Sequence, residues 1–219
     1  MNKVLVIAVH PDDETLGCGG TLLKHKANGD AIHWLICTTL EKEHHYFSTR
    51  KKEIQDIAQA YNFNSIHQLD LQTMRVDEYS MSELVTQISA VVQKVQPNIL
   101  YLPFANDVHS DHRKIFEAAY ACTKSFRYPF IKKIYMMETL SETEFAPTCN
   151  NNGFIPNIFV NITPYFEKKL DIIKIYKSEL APFPFPRSLE SIEALAKYRG
   201  STCGYKYCES FMLLKETIE

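Results

Sequence analysis

Two short stretches concentrate the side chains that could do chemistry: His10-Pro11-Asp12-Asp13-Glu14 and Asp107-Val108-His109-Ser110-Asp111-His112. Taken singly, each has an ordinary reading. Asp12 or Asp13 suits the cap of a helix beginning at Glu14, because a carboxylate accepts orphan amides and favours the positive helix end. His109 and His112, three residues apart, would lie on one helix face as solvated side chains. Together they say more. Imidazoles and carboxylates converging from two loops make a mixed nitrogen and oxygen ligand set. Three such side chains hold catalytic zinc and leave one position for water. Carboxylates remain over for the proton transfers that metal-activated water needs. Two histidines and one carboxylate also describe non-haem Fe(II) oxygenases, and His10 with Asp12 forms an HxD pair.

The loops need a frame that brings them together. Residues 4–9 form a continuous apolar run, the mark of a parallel strand covered on both faces. A helix over 14–27 follows, stopped by Asn28-Gly29-Asp30. The pattern then predicts strand 31–37, helix 50–61, a weak strand 65–69, helix 82–95, strand 98–102 and helix 111–123. Strand and helix alternating at this spacing imply right-handed crossovers. The fold class is α/β, a Rossmann-like three-layer α/β/α architecture with a mainly parallel sheet. Ligands in such sheets bind beyond the carboxyl ends of the strands, at a topological switch point. That rule places the loops after Val9 and Leu102 at one site. It also favours a hydrolytic zinc or tolerant divalent site, since Fe(II) oxygenases usually sit on jelly rolls of many short strands.

The second half is less regular. It offers a strand over 133–137, a helix over 164–178, and the run Ala181-Pro182-Phe183-Pro184-Phe185-Pro186, whose alternating prolines exclude a helix or central strand. An ordinary surface loop is the plainer reading of that run, a lid or subunit contact the other. With no linker or repeat, residues 1–219 read as one domain: 1–125 is the Rossmann-like core carrying the motifs, and 126–219 completes the site.

Composition narrows the partners. The chain has 219 residues, 45% hydrophobic and 23% charged, which excludes disorder and low-complexity classes. Its formal charge is −2, and no basic run is long enough to neutralise a phosphate backbone, so nucleic acid is not expected. No stretch reaches the roughly 20 apolar residues of a membrane span, and the start does not read as a signal peptide. The six cysteines, Cys18, Cys37, Cys122, Cys149, Cys203 and Cys208, contain no CxxC pair and suit reduced thiols in the cytoplasm. Cys203 and Cys208, five apart, match neither a zinc knuckle nor a redox motif. Gly17-Cys18-Gly19-Gly20 lacks the third glycine of a dinucleotide fingerprint, because position 22 is Leu, and close helix–sheet packing explains these glycines better. Ser178, Ser110 and the cysteines lack a nucleophile setting such as GxSxG. His44-His45 read as solvated loop residues.

The segment Ala8-Val9-His10-Pro11-Asp12-Asp13-Glu14, then Gly17-Cys18-Gly19-Gly20-Thr21, with His109-Ser110-Asp111-His112 later, resembles the PIG-L/LmbE family of metal-dependent N-deacetylases. Arg50 with Glu53, Lys169 with Ser178-Glu179, and Arg199-Gly200, Gly204, Cys208-Glu209 and Phe211 resemble its further segments. Two departures concern substrate detail: Glu179 stands for the usual Gln, and Cys208 for a common Ala. The resemblance implies zinc, or another divalent metal such as Fe2+, bound by His10, Asp13 and His112. It implies Asp12 as the base that deprotonates the metal-activated water and returns the proton to the leaving amine. It implies a cationic His109, oriented and charged by Asp111, at the tetrahedral oxyanion, with Arg50 and Asp107 as substrate contacts. The implied reaction removes acetyl from an N-acetylated amino sugar of the N-acetylglucosamine type or its conjugate, a small-molecule partner; a homo-oligomer is left open. Tyr, Phe and Trp34 could stack on a sugar, although aromatic residues more often fill cores. Two other readings stand beside it. A metal-dependent phosphoester hydrolase would want extra basic residues or a second metal. A non-catalytic sugar- or nucleotide-binding module would want a broken ligand set or a missing base.

Overall fold

The computed structural model describes residues 1–148 and 152–218. Cys149 lies outside the described residues. Five strands, β1 (Lys3–Ala8), β2 (Ala31–Thr39), β3 (Ser65–Gln72), β4 (Ile99–Leu102) and β5 (Lys133–Met137), run parallel in the order β3-β2-β1-β4-β5. Two further strands extend that sheet: β7 (Cys208–Glu216) pairs antiparallel with β5, and β6 (Ile158–Asn161) antiparallel with β7. The α/β class and the mainly parallel sheet are thus as the sequence implies.

Alternation along β1 explains the layers. Leu5 and Ile7 pack toward α3 (Met81–Val95) and α4 (Ser110–Ala121), with Ile88, Val92, Ile115 and Ala118. Val4, Val6 and Ala8 face the opposite layer. That layer contains α1 (Asp13–Ala27), α2 (Phe47–Tyr61), α5 (Phe166–Ile173) and α6 (Leu189–Cys203), through Leu16, Ile57, Ile172 and Ile192. Burial on both faces is why this strand reads as an unbroken apolar run. Local signals fix the ends: Ser80 and Glu83 form a reciprocal capping box at α3, and Gly204, at φ +80°, closes α6.

Helix α1 is broken at Cys18 (φ −145°, ψ 21°), which frees backbone groups on both sides. They are satisfied from the other half of the chain. Gly20 N–H and Thr21 N–H donate to the Glu209 carboxylate at 2.8 and 2.7 Å. Lys169 Nζ donates to Leu16 O at 2.9 Å and to the same carboxylate at 2.7 Å. The glycines let the helix lie close on its neighbours: a Cβ at Gly20 would sit 2.7 Å from Ile162 Cβ, and one at Gly17 3.0 Å from Met137 Cβ. Close packing, the reading preferred over nucleotide binding, is what they serve.

The second half differs from expectation in the helix over 164–178 and in its later elements, while the proline run is the loop expected. The helix expected over 164–178 is a short 3-10 turn, Thr163–Tyr165, followed by α5. Tight turns then follow, with Ile175 N–H on Ile172 O and Tyr176 N–H on Ile173 O. Those turns swing Tyr176 into the core, where its hydroxyl donates to Glu14 at 3.1 Å. Strands β6 and β7 and helix α6 were not expected. The run Ala181–Pro186 is a loop of turns in which Phe183 is 64% exposed. Among the described residues no helix is long and apolar enough to cross a membrane.

Candidate active site

The sheet order reverses between β1 and β4, and the loops leaving their carboxyl ends meet there. The loop after β1 is tied at every residue. Val9 O accepts from Thr38 N–H and Thr38 Oγ1, both at 2.9 Å. Pro11 O accepts from Arg50 Nη1 at 2.7 Å, and Asp12 N–H donates to the buried Glu14 carboxylate at 3.2 Å. Asp12 itself is forced to φ 144°, a conformation costly for a residue with a side chain and held here by those bonds. It occupies the cap position of α1, yet its carboxylate makes no capping bond. The ordinary reading of Asp12 as a helix cap therefore fails. Burial, then the charges of Asp13 and Glu179, raise its carboxyl well above the usual carboxylate range.

Asp13 turns its carboxylate back on the loop and accepts from Val9 N–H and His10 N–H at 2.9 and 2.8 Å. His112, from the first turn of α4, brings Nε2 to 3.4 Å from that carboxylate and 3.3 Å from His10 Nδ1. The outer nitrogens are both committed to carboxylates: His112 Nδ1 to Asp107 at 2.8 Å and His10 Nε2 to Asp111 at 3.3 Å. An ionised carboxylate only accepts, so those nitrogens carry protons, and the inner pair, Nε2 of His112 and Nδ1 of His10, is left to share a proton or to offer its lone pairs to a cation. Two imidazole nitrogens and a carboxylate oxygen within 4.8 Å are a donor set that fits a divalent cation, which would take the place of the shared proton. Burial would lower the His112 imidazole, but Asp13 and Asp107 raise it to about 9, so this point demands positive charge. A second group, His10, His109 and Asp111, lies within the same distance. Its atoms are already engaged: Asp111 accepts from His10 Nε2 and two backbone N–H groups, and His109 Nδ1 accepts from Asp111 N–H.

The resemblance implies Asp107 as a substrate contact. The structure places it fully buried, its carboxylate accepting from His112 Nδ1 and, at 2.7 Å, from Thr143 Oγ1. That position suits a group that orients the His112 ring. Asp107→Asn should weaken metal binding by about 10–100-fold, which competition with a chromophoric chelator measures; unchanged affinity would remove the orienting role.

His109 and Asp111 also differ from expectation. Asp111 is buried and accepts from Met74 N–H at 2.7 Å, from Val76 N–H at 3.2 Å and from His10. Its carboxylate lies 4.0 Å from His109 Nδ1. That nitrogen instead accepts the Asp111 backbone N–H at 3.1 Å, leaving Nε2 to carry the ring proton. Burial and the neighbouring His10 push the His109 imidazole down to about 4, outweighing Asp111. That environment favours the neutral imidazole with Nε2–H as donor, where the resemblance implies a cation.

These groups open on a cavity of about 330 Å3, lined by Asp12, Asp13, His109, Met74, Arg50 and Arg187 among others. Arg50 lies on its wall as expected, but its guanidinium bonds Ser178, Glu179 and Pro11, and Arg187 bonds Ser141 Oγ and the same Glu179. Arg187 and Glu142, which also line the cavity, carried no sequence signal. Neither stands in a motif, and both reach the site from loops distant in the chain. Burial raises the Glu142 carboxyl to about 7.

A model of the PIG-L family, GlcNAc-PI de-N-acetylase, matches residues 5–123, just over half the chain and the part that contains both loops. The chain belongs to the PIG-L family. A diacetylchitobiose deacetylase of Thermococcus kodakarensis is 25% identical over 95% of this PIG-L chain and 82% of its own length. A probable N-acetyl-α-D-glucosaminyl L-malate deacetylase 2 of Bacillus cereus is 26% identical over 80% and 83%. Among solved structures, GalB, the 4-carboxy-2-hydroxymuconate hydratase of Pseudomonas putida KT2440, superposes with a TM-score of 0.79 at 17% identity over 100% of this chain and 98% of its own. That last likeness concerns the fold alone.

Proposed function

We propose that this PIG-L chain hydrolyses the acetamide of an N-acetylated amino sugar of the N-acetylglucosamine type, or of its conjugate. One observation carries the reading: the uncommitted Asp12 carboxylate stands beside the His10, Asp13 and His112 donor set, at the wall of a cavity of about 330 Å3. The two deacetylases similar along most of the chain support it.

His10, Asp13 and His112 would hold the cation, with Zn2+ the first choice for this nitrogen and oxygen set and Fe2+ a tolerated substitute. When bound, it supplies Lewis-acid polarisation of the amide carbonyl and a lowered pKa for nearby water. Asp12 takes the proton of the attacking water on a carboxylate oxygen and later delivers it to the leaving nitrogen, so that an amine rather than an amide anion departs. His109 donates Nε2–H to the oxygen of the tetrahedral intermediate. Removing such a donor typically costs about 10²–10³ in rate. His109→Ala should show that loss with metal content unchanged, and wild-type turnover would remove the role.

Phosphoester hydrolysis finds less support. It needs free positive charge, and Glu179 engages both guanidiniums of the cavity. A purely binding module is disfavoured by a complete ligand set beside an available base. The deciding experiment is amine release from a panel of N-acetylglucosamine conjugates. Release lost on chelation and restored by zinc is expected. Turnover of phosphoesters in place of acetamides would overturn the proposal.

A further inference from the structure

Outside the cavity, two thiols face each other. Cys203 ends α6, Cys208 opens β7, and their sulfurs lie 3.2 Å apart. The intervening turn is built to hold them there. Gly204 adopts φ +80°, Tyr205 N–H returns to Gly200 O at 3.0 Å, and a Cβ at Gly200 would lie 2.5 Å from Tyr205 O. Cys208 is fixed on the other side by strand pairing with Asn161. The turn and the strand pairing thus fix the two backbone segments that carry the thiols, and Cys203 Sγ is also held at 3.5 Å from Arg199 O. Their accessibility differs: Cys203 is half-buried and Cys208 is 1% exposed. Burial also pushes the Cys208 thiol up to about 12, so Cys203 is the sulfur that meets a reagent first. Cys18, Cys37 and Cys122 are fully buried.

We propose that Cys203 and Cys208 form a reversible dithiol–disulfide site that reacts with low-molecular-weight disulfides and, once closed, staples the end of α6 to the start of β7. The Cys203 thiolate attacks one sulfur of the reagent, forming a mixed disulfide and expelling a thiolate. Cys208 then loses its proton to solvent and attacks the Cys203 sulfur, expelling the second thiol. Two protein sulfurs are each oxidised by one electron, and the reagent disulfide is reduced to two thiols. Closure fixes the residue next to Glu209, the carboxylate that caps the broken helix α1.

The test uses the full chain, reduced and then incubated with oxidised glutathione. The expected product is lighter by about 2 Da, the two hydrogens lost in thiol–disulfide exchange. It has two fewer alkylatable thiols after denaturation. Lys206 lies between the cysteines, so trypsin yields two peptides linked through Cys203 and Cys208, and dithiothreitol separates them. Cys203→Ser should abolish the product, and Cys208→Ser should stop at one glutathione on Cys203. Should Cys208→Ser fail to fold, the half-buried Cys203→Ser decides alone. Retention of all thiols, an adduct that never closes, or a linkage to another cysteine would overturn the proposal.

Discussion

Asp12→Ala is expected to lower kcat/KM for N-acetylated sugars by about 10²–10⁴, the usual contribution of a general base, while metal content stays at the wild-type level. The size follows from the job assigned to one carboxylate, which must take a proton from water and give it to nitrogen. In free-energy terms that is about 3–5 kcal/mol of barrier. Metal retention follows from geometry, because Asp12 is absent from the group of His10, Asp13 and His112 whose donor atoms converge. Removing the side chain also relieves its repulsion with Asp13 and Glu179, the charges that raise its carboxyl. The variant should therefore fold at least as well as wild type. Loss of metal together with activity would overturn the assignment as base.

Asp13→Ala is expected to empty the metal site and abolish turnover. Alanine here does two things at once. It removes a ligand oxygen, and it strands the Val9 and His10 N–H groups that the carboxylate accepts. Each buried donor left unpaired costs about 1–3 kcal/mol. Asp13→Asn separates the effects, because an amide oxygen can keep those two bonds while being a poorer ligand. The asparagine variant should melt close to wild type and still lose metal on dialysis, by more than the roughly 10–100-fold that outer partners contribute. Full metal occupancy in both variants would take Asp13 out of the ligand set.

Much of this was legible in the sequence for a specific reason. Strands buried on both faces leave apolar runs, and the run at β1 ends on His10, so architecture and motif pointed to the same place. Side-chain direction was not legible. Nothing in the spacing of Asp107 tells that it faces inward to His112, or that Asp111 spends its oxygens on Met74 and Val76. The late elements hid for other reasons. The buried stripe of α6 is Ile192, Ala196 and Gly200, too small to register as an amphipathic helix. The start of β7 buries Cys208, Glu209, Ser210 and Phe211, and a buried Glu breaks any simple alternation. That Glu is tolerated only because Lys169 and two amides meet it, contacts made across 40 or more residues of chain.

The interruption of α1 bears on how this architecture can be divided. Its first segment opens at Asp13, next to Asp12 on the cavity wall, whereas the groups exposed by the interruption are met by side chains from α5 and β7. A stretch ending after α4 would retain every residue of both motifs and still be left with stranded amides in the middle of its principal helix. The last third of the chain is thus a keystone rather than an appendage. Grafting or recombination in this fold must carry Lys169 and Glu209 along with the histidines, although neither touches the chemistry.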